Sequence, residues 1–145
     1  MTDRYDDLDG PERLGREELS ADRRGDRERG MEVRREVLGN AHVDQVGSEV
    51  DEFTAEFQDL LTRYAWGETW ARPGIDRRSR SIATLAALVA LGAENEIAMH
   101  VRAALRNGLA EDEIKEVLLH TAVYAGLPRA NAAFAIARNV LAEEA

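Results

Sequence analysis

Asp76-Arg77-Arg78-Ser79-Arg80-Ser81-Ile82-Ala83-Thr84-Leu85-Ala86-Ala87-Leu88-Val89-Ala90-Leu91-Gly92 is the stretch that decides the fold class. Asp76 is a strong helix N-cap residue and Gly92 a natural stop. Between them Ile82, Leu85, Ala86, Leu88, Val89 and Leu91 point nearly all the way round, so the segment reads as a buried central helix. Upstream, Phe53, Phe57, Leu60, Leu61 and Tyr64 form one helical apolar stripe, with Asp51 or Ser48 placed to cap it. Gly67 and Pro73-Gly74 then break the chain, leaving a short turn that holds Trp66, Glu68 and Trp70. Downstream, a helix runs from about Glu94 to Asn107 with Gly108 after its end. Another spans roughly Glu111 to Tyr124, with Ile114, Val117, Leu118, Thr121, Ala122 and Ala125 in register, and Gly126 closes it. Pro128 suits the first turn of a last, alanine-rich helix reaching Ala142. No segment alternates as a strand does, so the chain reads as all-α.

At 145 residues, with 44% hydrophobic and 32% charged side chains, the length fits one compact domain with a sizeable core. The absence of cysteine removes disulfides, thiolate metal sites, iron–sulfur clusters and cysteine-based catalysis. A net charge of −9 argues against a nucleic-acid or anionic-membrane partner. The opening Met1-Thr2-Asp3-Arg4-Tyr5-Asp6-Asp7 lacks the apolar core of an export signal, and the apolar run 82–91 is too short for a membrane span. A soluble, cytoplasmic protein is expected. Residues 1–26 are dense in charge and poor in apolar side chains, so they read as a disordered tail before a folded domain at 27–145.

Three polar groups stand out from this pattern. Arg77, Arg78 and Arg80 crowd the first turn of a helix, where cations oppose the macrodipole; a bound carboxylate would reverse that cost, and a solvated surface cluster is the alternative. Glu96 and His100 lie four residues apart beside the core stripe Ile97, Val101, Ala104 and Leu105. A carboxylate there would raise the proton affinity of the imidazole, as an acid/base pair or as a structural one. Trp66 and Trp70 suit a packed corner, an interface or the wall of a flat pocket. Of the other histidines, His42 stands apart and His120 reads as a hydrogen-bonded core residue. No metal motif, phosphate loop or nucleophile elbow occurs, so neither metal nor cofactor is expected.

Several longer blocks resemble one family, the γ-carboxymuconolactone decarboxylases. They are Gly30-Met31-Glu32-Val33-Arg34-Arg35-Glu36-Val37-Leu38-Gly39 with Ala41-His42-Val43-Asp44, Arg63-Tyr64-Ala65-Trp66-Gly67-Glu68, and Arg72 through Ser81. The resemblance continues through His100 to Gly108, Glu113 to Ala122, Tyr124 to Pro128 and Ala130 to Phe134. It implies an alkyl-hydroperoxidase D-like bundle of about six helices, assembled as a trimer or hexamer. Relatives on that fold that are thiol peroxidases use a cysteine pair this chain lacks. Where the decarboxylases often carry cysteine, Ala65 and Ala125 read as packing positions.

The implied substrate is a small unsaturated lactone bearing two carboxylates. Loss of one carboxylate sends an electron pair through the ring to the lactone oxygen, so the substrate is its own electron sink. Arg77, Arg78 or Arg80 would hold the remaining carboxylate. His100, or alternatively an arginine, would stabilise the oxyanion, Glu96 or His100 would return the proton with Glu68 in reserve, and Trp66, Trp70 and His42 would complete the binding surface. Another lactone or carboxylate enzyme on the same fold, or a non-catalytic oligomeric helical module, remains open at this point.

Overall fold

A computed structural model describes residues 11–145, with side chains from residue 21 onward. All its regular structure is helical: α1 (Pro11–Leu38), α2 (Asn40–Glu49), α3 (Ala55–Leu61), a π-helical segment (Thr62–Trp70), α4 (Arg77–Leu91), α5 (Glu94–Arg106), α6 (Glu111–Ala125) and α7 (Leu127–Glu144). The all-α reading is borne out among the described residues. Helix α1 takes in residues 11–26 of the segment read as a charged tail, and residues 1–10 of that tail lie outside the described residues. From Ala21 to Arg29 its side chains are nearly all exposed. The buried stripe Gly30, Val33, Arg34, Val37 and Leu38 begins only afterwards.

The chain divides into two compact units, one built from residues up to Val33 with Val50–Ala71, the other from Arg34–Glu49 with Arg72–Ala145. In the second unit α4, α5, α6 and α7 share one core. Leu85 and Val89 meet Ile97, Val101 and Ala104, then Leu109, Ile114 and Leu118, then Ala133, Ala137 and Val140. Alanines on the buried face of α7 leave room for its neighbours to approach closely. The ends are set as the sequence implies: Asp76 accepts from the Ser79 N–H at 2.7 Å, and Gly92 closes α4 at φ 70.

Helix α4 is not buried all round. Ser81, Leu85 and Val89 are buried, whereas Ile82 and Leu91 are 38% and 75% exposed. Its neighbours in the unit are α5, α6 and α7, and one stripe suffices for them.

In the first unit the expected turn after Gly67 is instead continuous helix, with α3 passing into the π segment as far as Trp70. Gly67 is there for space, not as a breaker. A Cβ on it would lie 2.2 Å from the Asp26 carbonyl oxygen, and one on Gly30 would lie 2.0 Å from that of Thr62. Backbone therefore meets backbone at both glycines, and the Arg29 Nε donates to the Gly67 carbonyl at 3.1 Å. Gly30→Ala should destabilise the protein by about 1–3 kcal/mol through overpacking. Gly25→Ala, on the same helix with open space around it, should be neutral or stabilise by up to about 1 kcal/mol. Denaturant unfolding of both variants checks the contrast, and equal stability would refute the backbone contact.

Candidate functional site

The stripe on α5 that adjoins its core face carries Glu96, His100, Ala103 and Asn107. Asn107 donates from Nδ2 to the buried Ser81 hydroxyl on α4 at 2.9 Å. Two turns up, His100 is only 8% exposed, with Ile97, Val101, Ala103 and Ala104 of the same helix also buried. Burial pushes the His100 imidazole down from 6.5 to about 4, and the neighbouring His42 pushes the same way. His100 is therefore neutral at pH 7, able to donate from one ring nitrogen and accept at the other.

His42, on α2 and half-buried, is also held below its ordinary value. Burial is the main cause; Arg34 lowers it further, Glu96 raises it, and Arg102 and Arg106 lower it again. Three guanidinium groups thus oppose one carboxylate at this imidazole. The two outer ones are built into the frame. Arg102 pairs with Glu143 at 2.7 Å and Glu144 at 3.6 Å, and Arg106 donates to the Val37 carbonyl at 3.1 Å. Arg34 is only 6% exposed, and burial lowers its own pKa.

This changes the expectation for Glu96. It is exposed, and its field raises His42, while His100 moves down rather than up. Desolvation outweighs any gain from a solvent-facing carboxylate.

The arginines at the start of α4 do not converge on one point. Arg77 pairs with Glu36 at 2.6 Å. Arg78 makes a two-pronged pair with Glu113 and donates to the Gly108 carbonyl. Arg80 donates to the Arg72 carbonyl at 2.9 Å. Glu113 also accepts from the Ala110 N–H at 3.0 Å, so Arg78 ties the start of α4 to the start of α6. Asp76 caps the helix end that was expected to receive an anion.

Trp66, Glu68 and Trp70 belong to the first unit. The two indoles stack with centroids 5.1 Å apart and planes at 28°; Trp66 is buried and Glu68 exposed. His120 is not a core residue. It is exposed, its ring 5.4 Å from that of Tyr124, because the buried stripe of α6 is Ile114, Leu118 and Thr121 and His120 points away from it.

The sequence reading missed the burial of Arg34, whose charge acts on His42. Its signal was positional: an arginine on the apolar stripe of a helix, where a cation is costly to bury.

A histidine held neutral by burial makes stability depend on pH. Between 6.5 and about 4 the unfolded chain binds more protons at His100 than the folded one. Stability should therefore fall as pH drops through that window, by up to about 3 kcal/mol from this residue, and that loss should stop growing below it. Urea unfolding at pH 7 and pH 4.5 tests this: His100→Gln should show a shallower loss than the unsubstituted protein, and equal losses would refute it.

The pattern of the carboxymuconolactone decarboxylase family matches residues 55–139, a span that holds Glu96 and His100 but not Arg34 or His42. A 4-carboxymuconolactone decarboxylase of Acinetobacter baylyi is 50% identical over 111 residues, 77% of this chain and 83% of the relative. A nitrosuccinic acid decarboxylase of Metarhizium robertsii is 43% identical over 99 residues, 68% of this chain and 69% of the relative. A 4-carboxymuconolactone decarboxylase of Pseudomonas putida is 51% identical over 39 residues, 27% of this chain and 81% of the relative. The chain belongs to the carboxymuconolactone decarboxylase family.

Proposed function

We propose that this protein is a carboxy-lyase that converts 4-carboxymuconolactone to the β-ketoadipate enol-lactone and CO2 in aromatic catabolism. The observation that carries the reading is a neutral, buried His100 beside His42, in a chain half identical to a relative of that name. The bond between the ring γ carbon and its carboxylate breaks, and the electron pair passes through the C=C bond to the lactone carbonyl oxygen. Proton return at the α carbon completes the reaction. The N–H of His100 meets the growing negative charge on that oxygen, where one well-aimed donor contributes about 3–4 kcal/mol. A neutral donor in a dry site needs no prior protonation. The α proton comes from water and is relayed through His100 or Glu96, and the ring's own conjugation makes an added cofactor unnecessary.

The same chemistry suits any acid whose departing carboxylate leaves its electron pair next to a strong sink. The name of the Metarhizium relative gives that second reading substance, since a nitro group is such a sink. The reading also includes a cytoplasmic homo-oligomer, a trimer or hexamer. Among the described residues no helix is long and apolar enough to cross a membrane. Phe53, Phe57, Tyr64, Leu91, Val123 and Leu127 are each more than half exposed on the single chain, apolar surface that an interface between copies would cover. Light scattering after gel filtration should give a mass three or six times that of the chain; a monomer would refute this part.

CO2 release from 4-carboxymuconolactone tests the activity. The unsubstituted protein should turn over without added metal or cofactor. His100→Asn should lower kcat by about 10²–10³-fold with its helical circular dichroism intact. Absence of CO2 release by the unsubstituted protein sinks the reading, and normal turnover by the variant removes His100 from it.

A further inference from the structure

We propose that the outward face of α6, with Leu91 of α4 beside its end, is the surface on which a second copy of this chain docks, the two α6 helices meeting antiparallel about a twofold axis. The proposal rests on the homo-oligomer reading above and gives that oligomer its surface; it is independent of the reaction. A contact between like faces makes the number of copies even, so between a trimer and a hexamer it selects the hexamer.

Placement is the first argument. The buried face of α6 is Ile114, Leu118 and Thr121. Leu119, His120, Val123 and Tyr124 fall at i, i+1, i+4 and i+5 on another face, and Leu127 follows at the turn into α7. Val123, Tyr124 and Leu127 are three-quarters or more exposed. Helices α4 and α6 are fastened side by side at both ends. Arg78 pairs with Glu113 where both helices begin. Just past the end of α6, the Arg129 guanidinium lies against Gly92 at the end of α4. Leu91, itself three-quarters exposed, is thereby brought to the end that carries Val123, Tyr124 and Leu127. Scattered exposed apolar residues need no explanation, whereas a cluster of large ones marks a surface built to be covered.

Charge selects the partner. Charged residues make up 32% of the chain, yet Ser81–Leu91 and Val117–Leu127 contain no Asp, Glu, Lys or Arg. Two copies of net charge −9 repel one another, and they approach at least cost through a surface free of carboxylates. The edges of the face are complementary under a twofold. Exposed Glu116 stands one turn before Leu119 and His120 on the same face. Exposed Arg129 stands at the opposite end and pairs with no carboxylate among the described residues. With the axis midway between His120 and Val123, Glu116 lies about as far before it as Leu127 lies after it. Glu116 of each copy then comes to the end that carries the partner's Arg129, and two ion pairs rim an apolar centre. A partner of unrelated sequence could cover the apolar centre but would not supply this reciprocal pairing.

The experiment measures mass by sedimentation equilibrium, with circular dichroism reporting the fold. The unsubstituted protein should sediment as six chains. Val123→Glu, a change at an exposed position, should halve that mass and leave the helical spectrum intact. Glu116→Arg and Arg129→Glu should each weaken association of the halves at least tenfold, and the double substitution should restore it to within about threefold. Because the chain contains no cysteine, Val123→Cys supplies one thiol per copy, and a short bismaleimide should then trap a dimer on a denaturing gel. If Val123→Glu does not fold, the charge exchange carries the test. An unchanged mass for folded Val123→Glu overturns the proposal, as does failure of the double substitution to restore what each single one weakens. A dimer that Val123→Glu splits into single chains would sink the trimer-or-hexamer reading and leave this one standing. A trimer or hexamer indifferent to Val123→Glu would do the reverse, and a monomeric unsubstituted protein would end both.

Discussion

Arg106 governs the geometry of the histidine pair. Its guanidinium donates to the Val37 carbonyl in the last turn of α1 and occupies the space beside Gly39, where a Cβ would lie 2.8 Å from its Nη2. Gly39 has φ 87, a conformation other residues adopt only with strain. Its N–H closes α1 on the Arg35 carbonyl at 2.9 Å, and its carbonyl opens α2 by accepting from Val43 at 3.2 Å. One glycine therefore turns the chain from α1 into α2 while α5 holds the corner from outside. Arg34 stands just before that corner and His42 just after it. His42 thereby comes under the influence of Glu96, Arg102 and Arg106 on α5 and itself acts on His100, although Arg106 and Val37 are 69 residues apart in sequence.

The electrostatics follow from that corner. Imidazoles packed among apolar side chains lose hydration that favours the imidazolium, and nearby cations disfavour it again. Two effects that each lower proton affinity act together on His42, with Glu96 alone opposing them. The outcome is a site poor in protons and rich in fixed positive charge. Such a site suits a reaction that begins with an anion and moves negative charge from a carboxylate to a carbonyl oxygen. A protonated histidine would stabilise the same oxygen but would first attract the carboxylate that must leave. Neutral imidazole keeps those two tasks separate.

Much of the fold was legible in the sequence because its signals are local. Asp76, Gly92, Gly108, Gly126 and Pro128 mark helix ends by capping and backbone preference, and the structure places them there. Where the reading went astray, the deciding contact was distant in sequence. Gly67 looks like a breaker on its own, but its missing side chain admits the backbone of Asp26. The apolar residues all round α4 imply complete burial, yet within one chain its neighbours use a single stripe. The site was legible in part: His100 stands out as a polar residue beside a core stripe. The arginine cluster stands out because its charges are adjacent in sequence, whereas burial singles out Arg34 on an apolar stripe. Periodicity carried that information too, since Val33, Val37 and Leu38 share its face.

A chain of net charge −9 that binds a dianion poses a physical problem, and distance resolves it. Surface carboxylates act through water, where attraction and repulsion decay over about 8 Å at physiological ionic strength. Charges away from solvent are screened far less, so buried Arg34 and half-buried Arg102 act on a group near His42 more strongly than the more numerous surface carboxylates do. The acidic exterior gives no long-range steering to an acidic substrate. Recognition of such a substrate then depends on contact inside the site, where charge and hydrogen bonding act with little screening by water.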